Sequence, residues 1–333
     1  MNITVLGSGG WGTALALLLA ENGHQVTLWS HREETTALLR ETGENPRLKG
    51  VPLSADLHLT SSMEPLRESD LVVFATPSFA IRETARRAAP LLREGAVLVS
   101  AAKGIEHHTG LRMTEIIAEE TGNRCKVAAL SGPSHAEEVG RRLPTGVVAA
   151  CADLSTADLI QDVFMNAHFR VYTNADILGV ELGGALKNVI ALCCGVTDGM
   201  GLGDNVKALM MTRGMTEMAR LGVALGGRSD TFAGLSGMGD LIVTCTSMHS
   251  RNRRAGILIG EGCAPTEAME RVGAVVEGYY AAQSACELAE KTGVEMPICR
   301  AAYQALYEGR PVHMVVDELM RRGKRREVDE TWF

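Results

Sequence analysis

The first 30 residues alternate between apolar runs and polar or glycine-bearing turns. Residues 3–6 form a short apolar run typical of a buried strand, and residues 13–20 form a longer one typical of a helix. Gln25–Trp29 follows a glycine suited to a helix C-terminus and reads as a second strand. This order of strand, helix and strand predicts a parallel βαβ unit at the start of the chain.

A glycine-rich turn joins the first strand to the first helix. Gly7, Gly9 and Gly12 have the G-x-G-x-x-G spacing, with Gly10 and Trp11 between them. In a dinucleotide site the first glycine permits the turn, the second lets a pyrophosphate approach the backbone, and the third allows close helix–strand packing. The amide groups at the helix N-terminus then face the anion. Because both flanking elements are in place, the turn predicts a dinucleotide-binding site.

Further apolar runs extend this pattern to about residue 175. Each short run leads into a polar or glycine-bearing loop, at the edge of a parallel sheet where ligands bind; the runs are 72–75, 97–100, 127–130 and 146–150. Beyond residue 176 helical periodicity replaces the strand pattern, with helices expected at 177–196, 206–221, 251–261, 277–292 and 298–308. We therefore expect an α/β protein with an N-terminal Rossmann-type parallel-sheet domain (1–176) and a mainly α-helical C-terminal domain (177–333).

The residues after the second strand bear on the choice of cofactor. An NAD site usually places an acidic residue about 20 residues beyond the glycines, but this chain has Ser30, His31 and Arg32 there. These side chains can donate hydrogen bonds to a 2′-phosphate, which favours NADP and leaves NAD as the alternative. Glu33 and Glu34 follow at once and could neutralise the arginine.

Composition narrows the class of partner. The 333 residues carry a net charge of -7, which gives no global attraction to nucleic acid or anionic membranes, so small-molecule partners are expected. No stretch is expected to be apolar enough to span a bilayer and no signal pattern precedes the first strand, which predicts a cytoplasmic protein. The eight cysteines form no C-x-x-C pair and are expected to be buried free thiols, and no metal site is predicted.

Several polar residues are candidates for chemistry. Lys187 lies in an apolar helical run, where desolvation would favour proton transfer, although a lysine whose ammonium reaches solvent remains the alternative. Lys103 follows a predicted strand at the ligand edge of the sheet, and Asp240 could hold its ammonium. Ser250-Arg251-Asn252 suits a phosphate or oxyanion site at a helix start, with a capped surface helix as the alternative.

Taken together, the segments resemble the bacterial type of NAD(P)-dependent glycerol-3-phosphate dehydrogenase over essentially the whole chain. The matching stretches are GSGGWGTALA (7–16), AAKGIE (101–106), SGPSHAEEV (131–139), GGALKNV (183–189), GLGDNVKALMMTRGMTEM (201–218), GLSGMGDLIVTC (234–245), SRNRRAG (250–256) and VVEG (275–278). The resemblance implies reduction of dihydroxyacetone phosphate to sn-glycerol 3-phosphate by NAD(P)H, for glycerophospholipid synthesis, in a homodimer.

The resemblance also implies residue roles. Lys187 matches the proton donor and acceptor at the C2 oxygen. The implied substrate contacts are Lys103, Gly132, Ser134, Lys187, Asn188, Asp240, Thr244, Ser250, Arg251 and Asn252. The cofactor contacts expected from the glycine turn and the resemblance are Gly7, Gly9, Gly10, Trp11, Gly12, His31, Arg32, Lys103, Ala136, Arg251, Val275 and Glu277.

Three positions depart from the family pattern. Gly10 stands where the family often has serine, His135 where it usually has phenylalanine, and the loop at 45–50 lacks an expected aromatic residue. Two other functions stay open on the residues. One is a related reductase of a ketopantoate-like hydroxy acid, and the other is an NADPH sensor without turnover.

Overall fold

The protein folds into two compact units. The structure is a computed structural model that describes residues 1–324 and 326–327. The first unit comprises Met1–Lys103 and Arg112–Ile177, and the second comprises Gly104–Leu111 with the chain from Leu178 onward. Residues 104–111 thus belong to the second unit, although the residues before and after them belong to the first. Within the second unit, the Ser284 hydroxyl donates a hydrogen bond to the Ile105 carbonyl oxygen at 3.2 Å.

The first unit is built on an eight-stranded sheet in the order β3-β2-β1-β4-β5-β6-β7-β8. The strands are β1 (Asn2–Leu6), β2 (Gln25–Trp29), β3 (His58–Thr60), β4 (Leu71–Phe74), β5 (Val97–Ser100), β6 (Lys126–Ser131), β7 (Thr145–Ala150) and β8 (Phe169–Asn174). Strands β1 to β6 pair in parallel in the order 3-2-1-4-5-6, which is the Rossmann arrangement. The predicted fold class is confirmed.

The topology places the glycine turn at the point where the strand order reverses. β1 pairs with β2 on one side and β4 on the other, so the carboxyl ends of β1 and β4 border the crevice in which such sheets bind ligands. The sheet is not wholly parallel, because β7 pairs antiparallel with β6. Between them the chain forms only one five-residue helix, and it turns back instead of crossing over to a parallel position.

Helices connect most strands of the first unit and form most of the second unit. The helices of the first unit are α1 (Gly10–Glu21), α2 (Glu33–Thr42), α3 (Ile81–Ala88), α4 (Met113–Glu120), α5 (Ala136–Gly140) and α6 (Leu154–Phe164). Those that follow are α7 (Ile177–Gly199), α8 (Asp204–Ala224), α9 (Ser229–Ala233), α10 (Asp240–Thr246), α11 (Arg251–Gly260), α12 (Pro265–Val272), α13 (Glu277–Thr292), α14 (Pro297–Tyr307) and α15 (Val312–Met320). A single π-helical turn, Leu235–Gly239, leads into α10.

Helix α7 corrects one expectation from the sequence. It is long and apolar enough to cross a membrane by length and composition, although no such stretch was expected. However, 83% of its most apolar window is buried within the protein. Its apolar residues belong to the hydrophobic core of the second unit, which accounts for the composition without a bilayer.

Small residues let α7 and α11 pack backbone to backbone. A Cβ on Gly195 would lie 2.1 Å from the Arg253 carbonyl oxygen, and one on Gly256 would lie 2.1 Å from that of Leu192. Both helices repeat glycine after four residues, at Gly199 and Gly260, so the contact continues for a full turn. This close approach fixes α7 relative to the helix that begins at Arg251.

The cysteine prediction is confirmed in its main point. All eight cysteines are free, and six of them are buried, while Cys125 and Cys263 are partly exposed. Burial raises the pKa of the Cys286 thiol to about 11, so this thiol is protonated at neutral pH.

Candidate active site

The backbone of the glycine turn has the conformation that the sequence predicts. Gly7 has φ +122°, and a Cβ there would lie 2.8 Å from the Ala75 carbonyl group. A Cβ on Gly12 would lie 1.9 Å from the Gly7 carbonyl oxygen. Gly9, which caps α1, has no described atom within 4 Å of its Cβ position. The first and third glycines are therefore required by packing, whereas the Cβ position of the second faces open space.

A loop fastened by Asn45 packs against this turn. The Asn45 amide donates to the Ser8 carbonyl oxygen at 3.0 Å and to the Thr13 hydroxyl at 2.6 Å. Its side-chain oxygen accepts a hydrogen bond from the Arg47 N–H at 2.9 Å. A Cβ on Gly10 would lie 2.6 Å from the Arg47 carbonyl oxygen. Two departures from the family pattern are thus connected, because this loop conformation leaves no room for a serine at position 10.

His31 and Arg32 follow β2, and both are exposed. The Glu33 carboxylate accepts hydrogen bonds from Arg40 at 3.3 Å and from the Ser61 hydroxyl. Within the described part of the chain, Arg32 forms no ion pair. The Glu33 carboxylate thus accepts from Arg40 and Ser61, and the alternative in which it neutralises Arg32 is not observed among the described residues.

Lys103 follows β5 and is the last residue of the first unit before residues 104–111. Its ammonium donates to the Gly132 carbonyl oxygen at 2.9 Å and lies 3.5 Å from the Ser134 hydroxyl, which itself donates to Gly132 at 2.9 Å. Gly132 has φ +141°, and a Cβ there would lie 2.9 Å from the Val147 Cα. The structure thus brings three predicted site residues together at the carboxyl ends of β5 and β6.

Two further predicted cofactor contacts lie beside the glycine turn. The Trp11 indole N–H donates to the Ala101 carbonyl oxygen at 3.1 Å, which ties the start of α1 to the end of β5. Ala136 is the first residue of α5, and its Cβ would lie 3.6 Å from a Cβ on Gly10.

Lys187 is buried in α7 and forms an ion pair. Its ammonium lies 2.5 Å from the Asp240 carboxylate and 2.7 Å from the Thr244 hydroxyl. The side chains of Lys187 and Asp240 are 8% and 1% exposed, so the pair is almost fully removed from solvent. Asp240 and Thr244 are one turn apart on α10, where Thr244 donates to the Asp240 carbonyl oxygen at 2.6 Å. The sequence offered Asp240 as a possible partner for Lys103, and within the second unit the structure pairs Asp240 with Lys187.

The π-helical turn and two glycines position this ion pair. A Cβ on Gly183 would lie 2.8 Å from the Ser236 carbonyl oxygen, and one on Gly237 would lie 2.0 Å from that of Phe232. Gly183 is one helical turn before Lys187, so both residues share a face of α7. Because the π-helical turn lies against Gly183, the next residue after it, Asp240, reaches the lysine. No motif in the sequence indicates this role of Gly183.

The Ser250-Arg251-Asn252 segment combines features of both interpretations. Ser250 caps α11, and its hydroxyl oxygen accepts the Arg253 N–H at 3.1 Å. Arg251 is exposed on the first turn of the helix. A serine hydroxyl that accepts this bond can still donate its own proton. The cap is real, and it leaves both a donor and an exposed guanidinium at the helix start.

Asn252 is buried and connects three helices. Its amide donates to the Asn188 side-chain oxygen at 2.9 Å, and its own oxygen accepts the Gly278 N–H at 2.8 Å. A Cβ on Gly278 would lie 2.4 Å from the Asn188 carbonyl oxygen. Asn188 neighbours Lys187, and Glu277 begins α13 beside this contact, with Val275 in the preceding loop. The structure therefore links Asn188 and Asn252 directly, and Glu277 precedes the glycine that completes this contact.

One histidine pair approaches a carboxylate, although the sequence predicted no metal site. His107, His108 and Glu287 have possible ligand atoms within 4.8 Å of one another. The His107 ring nitrogen lies 3.1 Å from the Glu287 carboxylate, and the His108 backbone N–H donates to the same group at 3.2 Å. The Glu287 carboxylate thus lies beside both histidine residues.

Comparison with known families decides the assignment. The family model for the N-terminal part of NAD-dependent glycerol-3-phosphate dehydrogenase matches residues 2–157, and the model for its C-terminal part matches residues 176–317. The chain belongs to the NAD-dependent glycerol-3-phosphate dehydrogenase family. The resemblance inferred from its motifs is confirmed.

Individual proteins similar to this chain carry the same family name. A glycerol-3-phosphate dehydrogenase [NAD(P)+] of Moorella thermoacetica is 56% identical over 330 residues, with 98% of each chain covered. The Bacillus subtilis protein of the same name is 48% identical over 332 residues, covering 98% of this chain and 96% of its own. A crystal structure of the Coxiella burnetii glycerol-3-phosphate dehydrogenase superposes with a TM-score of 0.93 at 37% identity, covering 96% of this chain and 99% of that one.

More distant structures share only the fold. A ketopantoate reductase from Ralstonia eutropha has a TM-score of 0.64 at 17% identity, covering 96% of this chain and all of the other. The similarity explains why a ketopantoate-like reductase was a reasonable alternative from the sequence, and it carries no evidence for that substrate.

Proposed function

We propose that this protein is a glycerol-3-phosphate dehydrogenase that reduces dihydroxyacetone phosphate to sn-glycerol 3-phosphate with NAD(P)H. The observation that carries this function is the buried ion pair of Lys187 with Asp240, supported by Thr244. Burying two charged side chains costs desolvation free energy, and buried ionisable groups of this kind are typical of active sites. The reaction of this family reduces a ketone, whose oxygen requires a proton.

Residues 1–176 are the proposed dinucleotide-binding domain. The open space at Gly9 and the helix start behind it suit a pyrophosphate, and Gly7, Gly10, Trp11 and Gly12 shape the turn. His31 and Arg32 are assigned to the adenosine end, which favours NADPH while NADH remains an alternative cofactor. When bound, the dinucleotide supplies the hydride.

Residues 177–333 are the proposed substrate-binding and catalytic domain. In this proposal Lys187 donates a proton to the C2 oxygen as negative charge develops there. Asp240 and Thr244 hold the ammonium in one orientation, so that little reorganisation is needed during proton transfer. In the reverse reaction the neutral amine takes the hydroxyl proton back.

The remaining roles rest on the residues that the structure groups together. Arg251 and the Ser250 hydroxyl are assigned to the phosphate, since a guanidinium fork and a hydroxyl both suit phosphate oxygens. Asn252 and Asn188 hold this segment and Lys187 in register. Lys103, with Gly132 and Ser134, is assigned to substrate, and Lys103 also to cofactor. Ala136, Arg251, Val275 and Glu277 are assigned further cofactor contacts.

The two alternative functions make different predictions. A ketopantoate-like reductase would use Arg251 to bind a carboxylate and would be inactive with a triose phosphate. A sensor that binds NADPH without turnover has no need of a buried lysine with a carboxylate and a hydroxyl arranged around it. Both the family assignment and this ion pair favour the dehydrogenase.

The test is NADPH oxidation followed by absorbance, first with dihydroxyacetone phosphate and then with ketopantoate at equal concentration. We expect turnover with the triose phosphate and none with ketopantoate. Turnover with ketopantoate alone would show that the substrate assignment is wrong. Binding of NADPH without oxidation in either reaction would support the sensor.

Three properties follow from the family resemblance. We propose a homodimer, a cytoplasmic location, and supply of sn-glycerol 3-phosphate for glycerophospholipid synthesis. Sedimentation equilibrium over a tenfold concentration range tests the dimer. A single species at twice the 35.6 kDa chain mass is expected, and a monomer throughout would contradict it.

A further inference from the structure

We propose that Arg87 is a specificity-determining residue for the 2′-phosphate of NADPH, acting partly by positioning His31. Arg87 is on the last turn of α3 and is exposed. Neither the sequence motifs nor the family resemblance assigns it a role. The inference rests on the proposed function and extends it to one end of the cofactor.

Arg87 contacts the end of β2 through two side chains. Its guanidinium donates to the His31 Nδ1 at 3.3 Å. Its Cζ also lies 5.6 Å from the centre of the Trp29 ring, within the range of a cation–π interaction. Trp29 is 1% exposed, and its indole N–H donates to the Ser61 carbonyl oxygen at 2.9 Å, so the ring is a fixed support.

The hydrogen bond from Arg87 determines which proton His31 carries. A guanidinium only donates, so the Nδ1 of His31 must accept and the proton of the neutral ring is on Nε2. The ring is also packed edge-on against Trp29, with centres 6.0 Å apart. Arg87 therefore leaves His31 with an N–H donor on the side away from the guanidinium, where an anion can accept it.

The charges around Arg87 indicate an anionic ligand. Arg82 and Arg86, on the same helix, form ion pairs with Glu120 at 2.7 Å and 2.9 Å. Arg87 forms no ion pair with any residue that the structure describes, and neither does Arg32. Two guanidinium groups without an ion pair to a described residue are thus present, that of Arg32 after β2 and that of Arg87 on the last turn of α3. The His31 ring adds one N–H donor.

The position of this group relative to the fold identifies the ligand class. In Rossmann domains the residue after the second strand contacts the ribose 2′ position, and an arginine there accommodates a 2′-phosphate. The Glu33 carboxylate, which would repel that phosphate, is held by Arg40 and Ser61. An adenosine 2′-phosphate is therefore the ligand that fits these residues.

The experiment measures dissociation constants of NADPH and NADH by isothermal titration calorimetry, with adenosine 2′,5′-bisphosphate and 5′-AMP as fragment probes. Arg87→Gln should weaken NADPH and the bisphosphate by about tenfold or more, since charge-assisted hydrogen bonds to phosphate are lost. NADH and 5′-AMP should change by less than about twofold. Arg87→Lys, which keeps the charge but loses the planar group on Trp29, should lie between.

Arg86→Gln is the matched control, because it removes a neighbouring arginine whose partner is Glu120. It should leave the ratio of NADPH to NADH affinity unchanged. In a His31→Ala background the effect of Arg87→Gln should shrink, since part of it acts through His31. Full additivity would restrict Arg87 to a direct phosphate contact and overturn the positioning part.

Equal weakening of NADPH and NADH, or no weakening of NADPH, in Arg87→Gln would overturn the proposal. These affinities are measured without substrate, so they remain decisive if dihydroxyacetone phosphate is not turned over. Failure of the proposed function would instead appear as a wild-type protein that binds NADPH with normal discrimination and does not oxidise it with the triose phosphate.

Discussion

The two units prepare their proposed sites in different ways. In the first unit the glycine turn is one continuous segment, and its chemistry comes from backbone N–H groups and open space at Gly9. In the second unit the central ion pair joins residues 53 positions apart, on α7 and α10. A local backbone site can be recognised from consecutive residues, whereas a side-chain site depends on how helices pack.

The second unit should be the more sensitive to a change of one polar group. Asp240→Asn removes the negative charge beside a buried ammonium while keeping the side-chain shape. We expect kcat to fall by about 10²-fold with dihydroxyacetone phosphate, because Lys187 loses its orienting partner. The KM for NADPH should stay within about twofold in steady-state assays. A large rise in the KM for NADPH, together with the fall in kcat, would show that the carboxylate has a general structural role.

Gly183→Ala tests whether helix packing positions the ion pair. The new Cβ would lie 2.8 Å from the Ser236 carbonyl oxygen, so the π-helical turn before Asp240 must move. Overpacking of this kind costs about 1–3 kcal/mol. We expect a lower melting temperature and about tenfold lower kcat.

Gly323→Ala is the matched control for this substitution, since no described atom lies within 4 Å of that Cβ position. It should change neither property. Normal kcat in Gly183→Ala, together with a lower melting temperature, would show that the contact between Gly183 and Ser236 does not position Asp240 for the reaction.

Two adjacent glycines test the first unit. Gly9→Ala places a methyl group in open space, so the melting temperature should not change, while NADPH affinity falls by about tenfold because the pyrophosphate can no longer approach. Gly10→Ser introduces a Cβ 2.6 Å from the Arg47 carbonyl oxygen and should lower both. Calorimetry of unfolding and NADPH titration measure the two properties. Unchanged NADPH affinity in Gly9→Ala would contradict the proposed pyrophosphate site.

A buried acid gives the second unit a pH dependence. Burial raises the pKa of Glu217 to about 7, and hydrogen bonds from the Ile298 and Cys299 N–H groups oppose that rise. The unfolded chain releases the proton near pH 4.5, whereas the folded chain keeps it until about 7. The contribution to stability is therefore complete below pH 4.5 and is lost as the pH rises through 7, by about 3 kcal/mol at most.

Glu217→Gln removes this titration and retains one acceptor for the N–H groups of α14. In urea unfolding between pH 4.5 and 7, the variant should show a flatter dependence of the unfolding free energy on pH than the wild type. An identical slope in both proteins would show that Glu217 does not titrate in this range.

The sequence predicted the local features well, whereas it does not show which distant residues come into contact. The glycine turn was predictable because its strand, turn and helix are consecutive, and Lys187 was conspicuous as a charge in an apolar helix. The pair of Lys187 with Asp240 was not predictable, because nothing in the sequence shows that the π-helical turn lies against Gly183. Arg87 was missed for a similar reason, since it approaches His31 only through the pairing of β1 with β4 and β2.

The short elements were also hard to predict. β3 has three residues and lies at the sheet edge, so it has little room for an alternating pattern. β8 does alternate, with Arg170 and Tyr172 exposed between buried residues, but it stands directly before the long apolar helix α7. The sequence therefore predicts a change from strand to helix periodicity at the domain boundary and no separate strand there.

The most direct test of Lys187 as the proton donor is the hydride-transfer rate in a single turnover of Lys187→Met. NADPH is bound first, its dissociation constant is measured, and dihydroxyacetone phosphate is added in a stopped-flow instrument. We expect NADPH affinity within about twofold of wild type and a rate lower by about 10³-fold or more, because the proton donor is gone. A rate within about tenfold of wild type would contradict the assignment of Lys187 as that donor.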